Sequence, residues 1–108
     1  MTYHVVYTED RGNTARLISR TAGDQYRRKY DLAVKRLSKQ TIHRQELGKI
    51  KARILRSIRG GCTYKIVYVY ETISPTQAKL TLLNLCVRDR SKRYHIVNES
   101  GGTDVPCS

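Results

Sequence analysis

The chain has 108 residues and carries 21 lysines and arginines against nine aspartates and glutamates, a formal net charge of +12. That length holds one domain with one modest core. The charge points to a polyanionic partner, nucleic acid first and an acidic protein second. The excess is uneven, because residues 16–59 hold fourteen basic and three acidic side chains. Solvated helix faces usually interleave both signs, so a block this lopsided reads as a binding surface.

No run approaches the roughly 20 apolar residues of a membrane span. The opening MTYHVVYTED has neither a charged leader nor a long apolar stretch, so no secretory signal is expected. Cys62, Cys86 and Cys107 are far apart and form no Cys-x-x-Cys pair, which argues against zinc. The expectation is a cytoplasmic protein with reduced thiols, with Cys86 in the core and no cofactor or metal.

In chain order, Thr2 to Thr8 alternates Tyr3, Val5 and Tyr7 with His4, Val6 and Thr8, and predicts a first strand. Residues 9–13 form a turn. Thr14 to Thr21 predicts a short helix burying Ala15, Leu17 and Ile18. Gly23-Asp24 then breaks the chain, with Asp24 as the expected N-cap. Tyr26, Tyr30, Ala33, Val34 and Leu37 recur at helical spacing and predict a helix from Asp24 to Lys39, its other faces basic. Residues 40–48 read as a connection or short helix.

Leu47 to Arg59 fits two templates. Leu47, Ile50, Ile54 and Ile58 make a helical stripe, while alternation over residues 50–55 fits a strand. Gly60-Gly61 signals a hairpin turn. Thr63 to Thr72 predicts a strand with alternating Tyr64, Ile66, Tyr68 and Tyr70, whose tyrosines belong to the core rather than to a stacking platform. A loop around Ser74-Pro75 leads to a strand over Lys79 to Val87. Residues 99–108 lack apolar periodicity and predict a disordered tail after a single domain of residues 1–98. The fold class is therefore α+β: an N-terminal strand, two helices, then antiparallel strands forming one sheet of about four strands, with the helices on one face.

The chain has no paired carboxylates, no clear Ser-His-Asp arrangement and no Gly-rich phosphate loop. His4, His43 and His95 are scattered. What stands out is LTLLNLCVRDRSKRY, residues 80–94, an apolar strand running into Arg88, Arg90, Lys92, Arg93 and Tyr94. Guanidinium groups match phosphate geometrically and stay charged at any physiological pH. Tyrosine stacks on bases. A set of Lys, Arg and Tyr can cleave RNA by 2′-OH attack on the adjacent phosphorus, through electrostatic stabilisation of the dianionic phosphorane. A lysine crowded by cations can serve as the base.

Tyr64-Lys65-Ile66-Val67-Tyr68, then an apolar strand, then Arg88-Asp89-Arg90-Ser91-Lys92-Arg93-Tyr94 resembles the RelE toxins of the RelE/ParE superfamily. Those share a Tyr-Arg-Leu-Val-Tyr-type strand, a hydrophobic strand and an Arg-x-Arg-Ser-x-x-Tyr ending. The likeness covers about half of the chain, and the strand-helix-helix front agrees in order. It implies a toxin neutralised by an antitoxin protein, a metal-independent endoribonuclease that cleaves messenger RNA on the ribosome.

On that resemblance Arg88 contacts the scissile phosphate, Tyr94 stacks on the substrate base and Arg90 fills a further basic slot. Lys92, Arg93 and Arg59 join Arg90 as substrate-binding cations. Lys65 stands where the family has an arginine, keeping the charge and losing the fork. The family's two lysines on the preceding strand have no unique counterpart. Lys51 and Arg53 have the right spacing, but a turn centred on Gly60-Gly61 would put Arg56 opposite Lys65. Arg53 cannot act as a base, so either Lys51 or Lys65 is the base or the mechanism is weaker than the family's. Relatives that use Glu and His bring in His95, which lies next to Tyr94 and should point to the other side of an extended chain. The family often closes with a helix after the tyrosine, and residues 95–108 predict none. Two other readings stand beside this one: a ParE-like or degenerate relative that inhibits a protein target such as gyrase, and a non-catalytic nucleic-acid-binding module.

Overall fold

The computed structural model describes residues 1–98 and the backbone of Val105–Pro106. In chain order the elements are β1 (Thr2–Asp10), α1 (Thr14–Thr21), α2 (Gly23–Ser38), β2 (Thr41–His43), a 3₁₀ turn (Arg44–Glu46), β3 (Lys51–Leu55), β4 (Tyr64–Thr72), β5 (Gln77–Arg88), β6 (Tyr94–Ile96) and β7 (Val105–Pro106). The predicted tail over residues 99–108 lies outside the described residues, apart from the pairing of β7 with β6. No helix among the described residues is long and apolar enough to cross a membrane.

The α+β expectation holds, with one correction. The sheet is mixed rather than antiparallel: its order is β2-β1-β5-β4-β3, with β6 beside β5, and β1 runs parallel to β5. The reason is the helical crossover. The α1–α2 pair carries the chain over one sheet face and delivers β3 parallel to β1, which only a long connection allows. Two antiparallel turns then follow, β3 to β4 and β4 to β5, so β5 returns in the direction of β1 and inserts beside it. The strands also exceed the four expected, because β2, β6 and β7 are short additions at the rim.

Asp10 starts α1. Its Oδ1 accepts the Thr14 N–H at 2.8 Å and the Thr14 hydroxyl at 3.1 Å, and its Oδ2 accepts the Ala15 N–H at 2.9 Å. Two of the helix's unpaired amides are thereby satisfied, and a negative charge sits at its positive end. Asp24, by contrast, is not an N-cap. Ala22 holds that position and Asp24 lies in the first turn of α2. Gly23, at φ +78°, makes the break between the helices, a conformation that costs glycine nothing.

The apolar stripe of α2 packs as its spacing predicts. Tyr26, Tyr30, Ala33 and Leu37 are buried, with Val34 beside them, against Tyr64, Ile66, Tyr68 and Tyr70 of β4 and Leu80, Leu82 and Leu85 of β5. The β4 tyrosines are thus core. Tyr70 is fully buried and its hydroxyl donates to the Leu37 carbonyl at 2.7 Å, closing the end of α2. Cys86 is fully buried and disulfide-bonded, so the expectation of reduced thiols fails there; Cys62 is exposed and free.

Leu47 to Arg59 resolves as strand at its centre. Lys51–Leu55 pairs with β4, with Ile54 opposite Lys65 and Leu55 opposite Tyr64. Arg56 therefore does not face Lys65. The connection over residues 56–63 is centred one position earlier than that alternative, which moves the register by two residues, and α2 reaches down and ties it. The Tyr26 hydroxyl donates to the Cys62 carbonyl and accepts the Ile58 N–H at 3.1 Å, and Lys29 donates to the Arg56 carbonyl at 3.1 Å.

Candidate functional site

Residues directly opposite in an antiparallel pair share a face of the sheet, and successive residues alternate. Tyr64, Ile66, Tyr68 and Tyr70 take the face under the helices, so Lys65 takes the other. Lys65 stands opposite Cys86, and Arg88 lies two residues further along β5 on the same face. Arg88 in turn stands opposite Tyr94 of β6. The Lys65 ammonium sits 4.2 Å from the centroid of the Tyr94 ring. A cation that close to an aromatic face is attracted by about 0.5–1 kcal/mol at an exposed site. Lys65, Arg88 and Tyr94, chosen from the sequence separately, converge on the helix-free face.

The turn over residues 89–93 is what brings Tyr94 back to Arg88, and Asp89 organises it. The Asp89 N–H donates to the Arg93 carbonyl at 2.8 Å, and the Lys92 N–H donates to the Asp89 carbonyl at 3.1 Å. Asp89 Oδ1 accepts the Ser91 hydroxyl at 2.7 Å and the Arg93 N–H at 3.0 Å, while Oδ2 lies 2.5 Å from His95 Nε2. The Ser91 hydroxyl, then the Arg93 N–H, then His95 hold the Asp89 carboxyl well below the usual carboxylate range. Lys92 closes the turn in the left-handed region at φ +65°.

Asp89 was not singled out from the sequence. The signal was present: an aspartate two residues before a serine in a turn commonly accepts local donors. Ser91, Asp89 and His95 thus come together, but with the aspartate in the middle. Ser91 bonds to Asp89 and not to the imidazole, so no base activates its hydroxyl. His95 stands opposite Val87, on the sheet side away from Tyr94, and acts on the site only through Asp89.

Arg88, Arg90, Lys92 and Arg93 form no ion pair among the described residues. Ion pairs among the described residues lie with other cations: Glu9 with Arg11 and Lys79, Asp31 with Arg27, Glu46 with Lys51, Glu71 with Arg11, and Asp89 with His95. Arg88 at the end of β5 and Arg90, Lys92 and Arg93 in the turn after it, unpaired among the described residues and with Lys65 adjacent, make a surface for an anion.

The other sequence candidates lie apart. Lys51 stands opposite Tyr68 and Arg53 opposite Ile66, on the helix side of the sheet. Lys51 is bound to Glu46 at 2.9 Å. Arg53 and Arg56 line a groove between α2 and β3. Arg59 lies by the start of α2, beside Gly60 and Gly61. Compared with protein-family models, curated proteins and solved structures, the chain finds no match.

Proposed function

We propose that the protein is the toxin of a toxin–antitoxin pair, an endoribonuclease that cleaves messenger RNA on the ribosome in the cytoplasm and needs no metal. The observation that carries this reading is the convergence of Lys65, Arg88 and Tyr94 on the helix-free face, the Lys65 ammonium 4.2 Å from the Tyr94 ring. The order of strand, two helices and strands agrees with what the RelE resemblance implies.

In the proposed reaction the ribose 2′-oxygen attacks the adjacent phosphorus, the 5′-oxygen leaves, and the products carry 2′,3′-cyclic phosphate and 5′-hydroxyl ends. Arg88 faces the phosphorane and neutralises charge that grows in the transition state. Tyr94 holds the base in place, either on the ring face opposite Lys65 or by displacing the ammonium. Of the two lysines proposed as base, Lys65 is favoured because Lys51 lies on the other side of the sheet. Arg90, Lys92 and Arg93 hold flanking phosphates. The same placement of Lys51 leaves one lysine where the family uses two, and this favours a second reading: a relative that binds nucleic acid, or inhibits a protein such as gyrase, without cleaving RNA.

The test is primer extension on translated messenger RNA with purified ribosomes. Arg88→Ala should lower cleavage about 10²-fold or more, the usual cost of one charge-stabilising donor. Tyr94→Phe should be mild and Tyr94→Ala severe, and EDTA should not inhibit. Binding should weaken steeply with salt, as counterions are released. Undiminished cleavage by Arg88→Ala removes this site, and no cleavage by the wild type moves the conclusion to the second reading.

A further inference from the structure

β6 is only three residues long, Tyr94–Ile96, yet it carries the aromatic ring of the site. Its register against β5 therefore decides whether the site exists. A slip of one residue sends every side chain of a strand to the opposite face. The observed register turns His95 and Val97 toward the helices and leaves Tyr94 and Ile96 on the face of Lys65 and Arg88.

Apolar burial does not select that register. Val97 is buried, but the other inward residue is the polar His95, while Tyr94 and Ile96 stay half-buried outside. Turned over, the strand would set Tyr94 and Ile96 inward, the larger apolar pair, and burying them would be the more favourable choice. The ladders from β6 to β5 and β7 are backbone bonds, which a one-residue slip can form again. The Asp89 bonds to Ser91 and to the Arg93 N–H lie within the turn and do not distinguish the faces of β6. The bond between His95 and Asp89 does distinguish them. Nε2 lies 2.5 Å from Oδ2, and it can reach that carboxylate only with His95 on the helix side. An ionised carboxylate only accepts, so Nε2 carries the proton. His95 Nδ1 is buried with no partner among the described residues, so a proton there would find no acceptor.

We propose that His95 is a positioning residue: its Nε2–H bond to Asp89 pins the register of β6 and so sets Tyr94 on the face with Lys65 and Arg88. Fixing register is among the best-attested uses of a polar contact inside a packed structure. His95 transfers no proton to substrate in this role. The inference deepens the proposed site and rests on the part given there to Tyr94, but the register itself can be read with no RNA present.

The experiment is NMR on the full chain, free in solution. Two signals report the observed register: the cross-strand NOE between Arg88 and Tyr94, and the upfield shift of the Lys65 side-chain protons under the Tyr94 ring. His95→Ala removes the bond, and the register equilibrium should move about tenfold or more, the usual weight of a hydrogen bond to a charged group. Both signals should then be lost, and the Tyr94 ring should gain NOEs to Val87 on the helix side. His95→Gln offers an amide N–H in place of Nε2–H and should keep both signals. His95→Ala added to Asp89→Ala should change nothing further, because the two residues act as one unit. In the wild type, imidazole nitrogen spectra should show Nε2 protonated and Nδ1 bare. Both signals surviving in His95→Ala, or a proton on Nδ1 in place of Nε2, would overturn the proposal. Loss of both signals in a folded His95→Gln would assign the register to packing of the ring instead. A wild type that cleaves no RNA would leave every one of these outcomes readable.

Discussion

Gly12 offers the sharpest test of how the fold holds the site. A Cβ added there would lie 2.2 Å from the Leu83 carbonyl oxygen, 2.7 Å from its carbon and 3.1 Å from the Asn84 Cα. Carbon and oxygen in contact sit about 3.3 Å apart, so the backbones must separate by about 1 Å. Neither can move freely. Leu82 and Asn84 are paired to β4, and the Gly12 N–H donates to the Leu82 carbonyl at 3.2 Å. Overpacking costs about 1–3 kcal/mol, with the upper end apt where both groups are backbone, and the lost hydrogen bond adds about 1 kcal/mol. For a chain of 108 residues the unfolding entropy is about 0.23 kcal/mol/K. A loss of about 3.5 kcal/mol then lowers Tm by about 15 °C. Gly60→Ala is the control. Its φ is +77° with nothing within 4 Å of the added Cβ, so only backbone strain of about 1–2 kcal/mol applies, or about 4–9 °C. Thermal melts followed by circular dichroism read both. A Gly12→Ala variant that melts within about 3 °C of wild type would show that β1 does not approach β5 as described.

Two further outcomes follow from the same structure. Asp89→Ala should release the turn, so the Lys65 side-chain protons, shifted upfield by the Tyr94 ring in the wild type, should return to ordinary NMR positions while Tm stays near wild type; a retained shift would remove Asp89 as the organiser. Because the folded pKa of Asp89 is depressed, its contribution is complete above the unfolded value of about 3.9 and is lost as pH falls through the folded value, so the Lys65 shift should persist on titration down to about pH 4. At the alkaline end, burial, aided by the nearby Asp10 charge and opposed by the hydrogen bond with Thr14 Oγ1 at 2.5 Å, pushes Tyr30 up to about 12. A raised folded pKa means stability that is full below the unfolded value of about 10 and lost as pH rises, so denaturant midpoints should fall between about pH 10 and 12, and Tyr30→Phe should flatten that fall. A midpoint that falls equally in Tyr30→Phe would place the titration elsewhere.

Local pattern determined much of this protein. The stripe at Tyr26, Tyr30, Ala33 and Leu37 specified α2 because helical periodicity is a property of neighbouring residues alone. The alternation through Tyr64, Ile66, Tyr68 and Tyr70 likewise specified β4 and sent Lys65 to the opposite face. Arg88 and Tyr94 were legible as a basic and aromatic ending to an apolar strand. Three things were decided only by tertiary structure. Lys51–Leu55 matched a helix and a strand equally well, and pairing with β4 chose the strand. The direction of β1 came from the crossover and two turns, a sum over the whole chain that no window contains. The membership of the site depended on register: a strand's faces alternate every residue, so Lys65 joined Arg88 and Tyr94, while Lys51 and Arg53 went to the helix side and Asp89, unremarked as one acid among nine, became the residue that holds the turn.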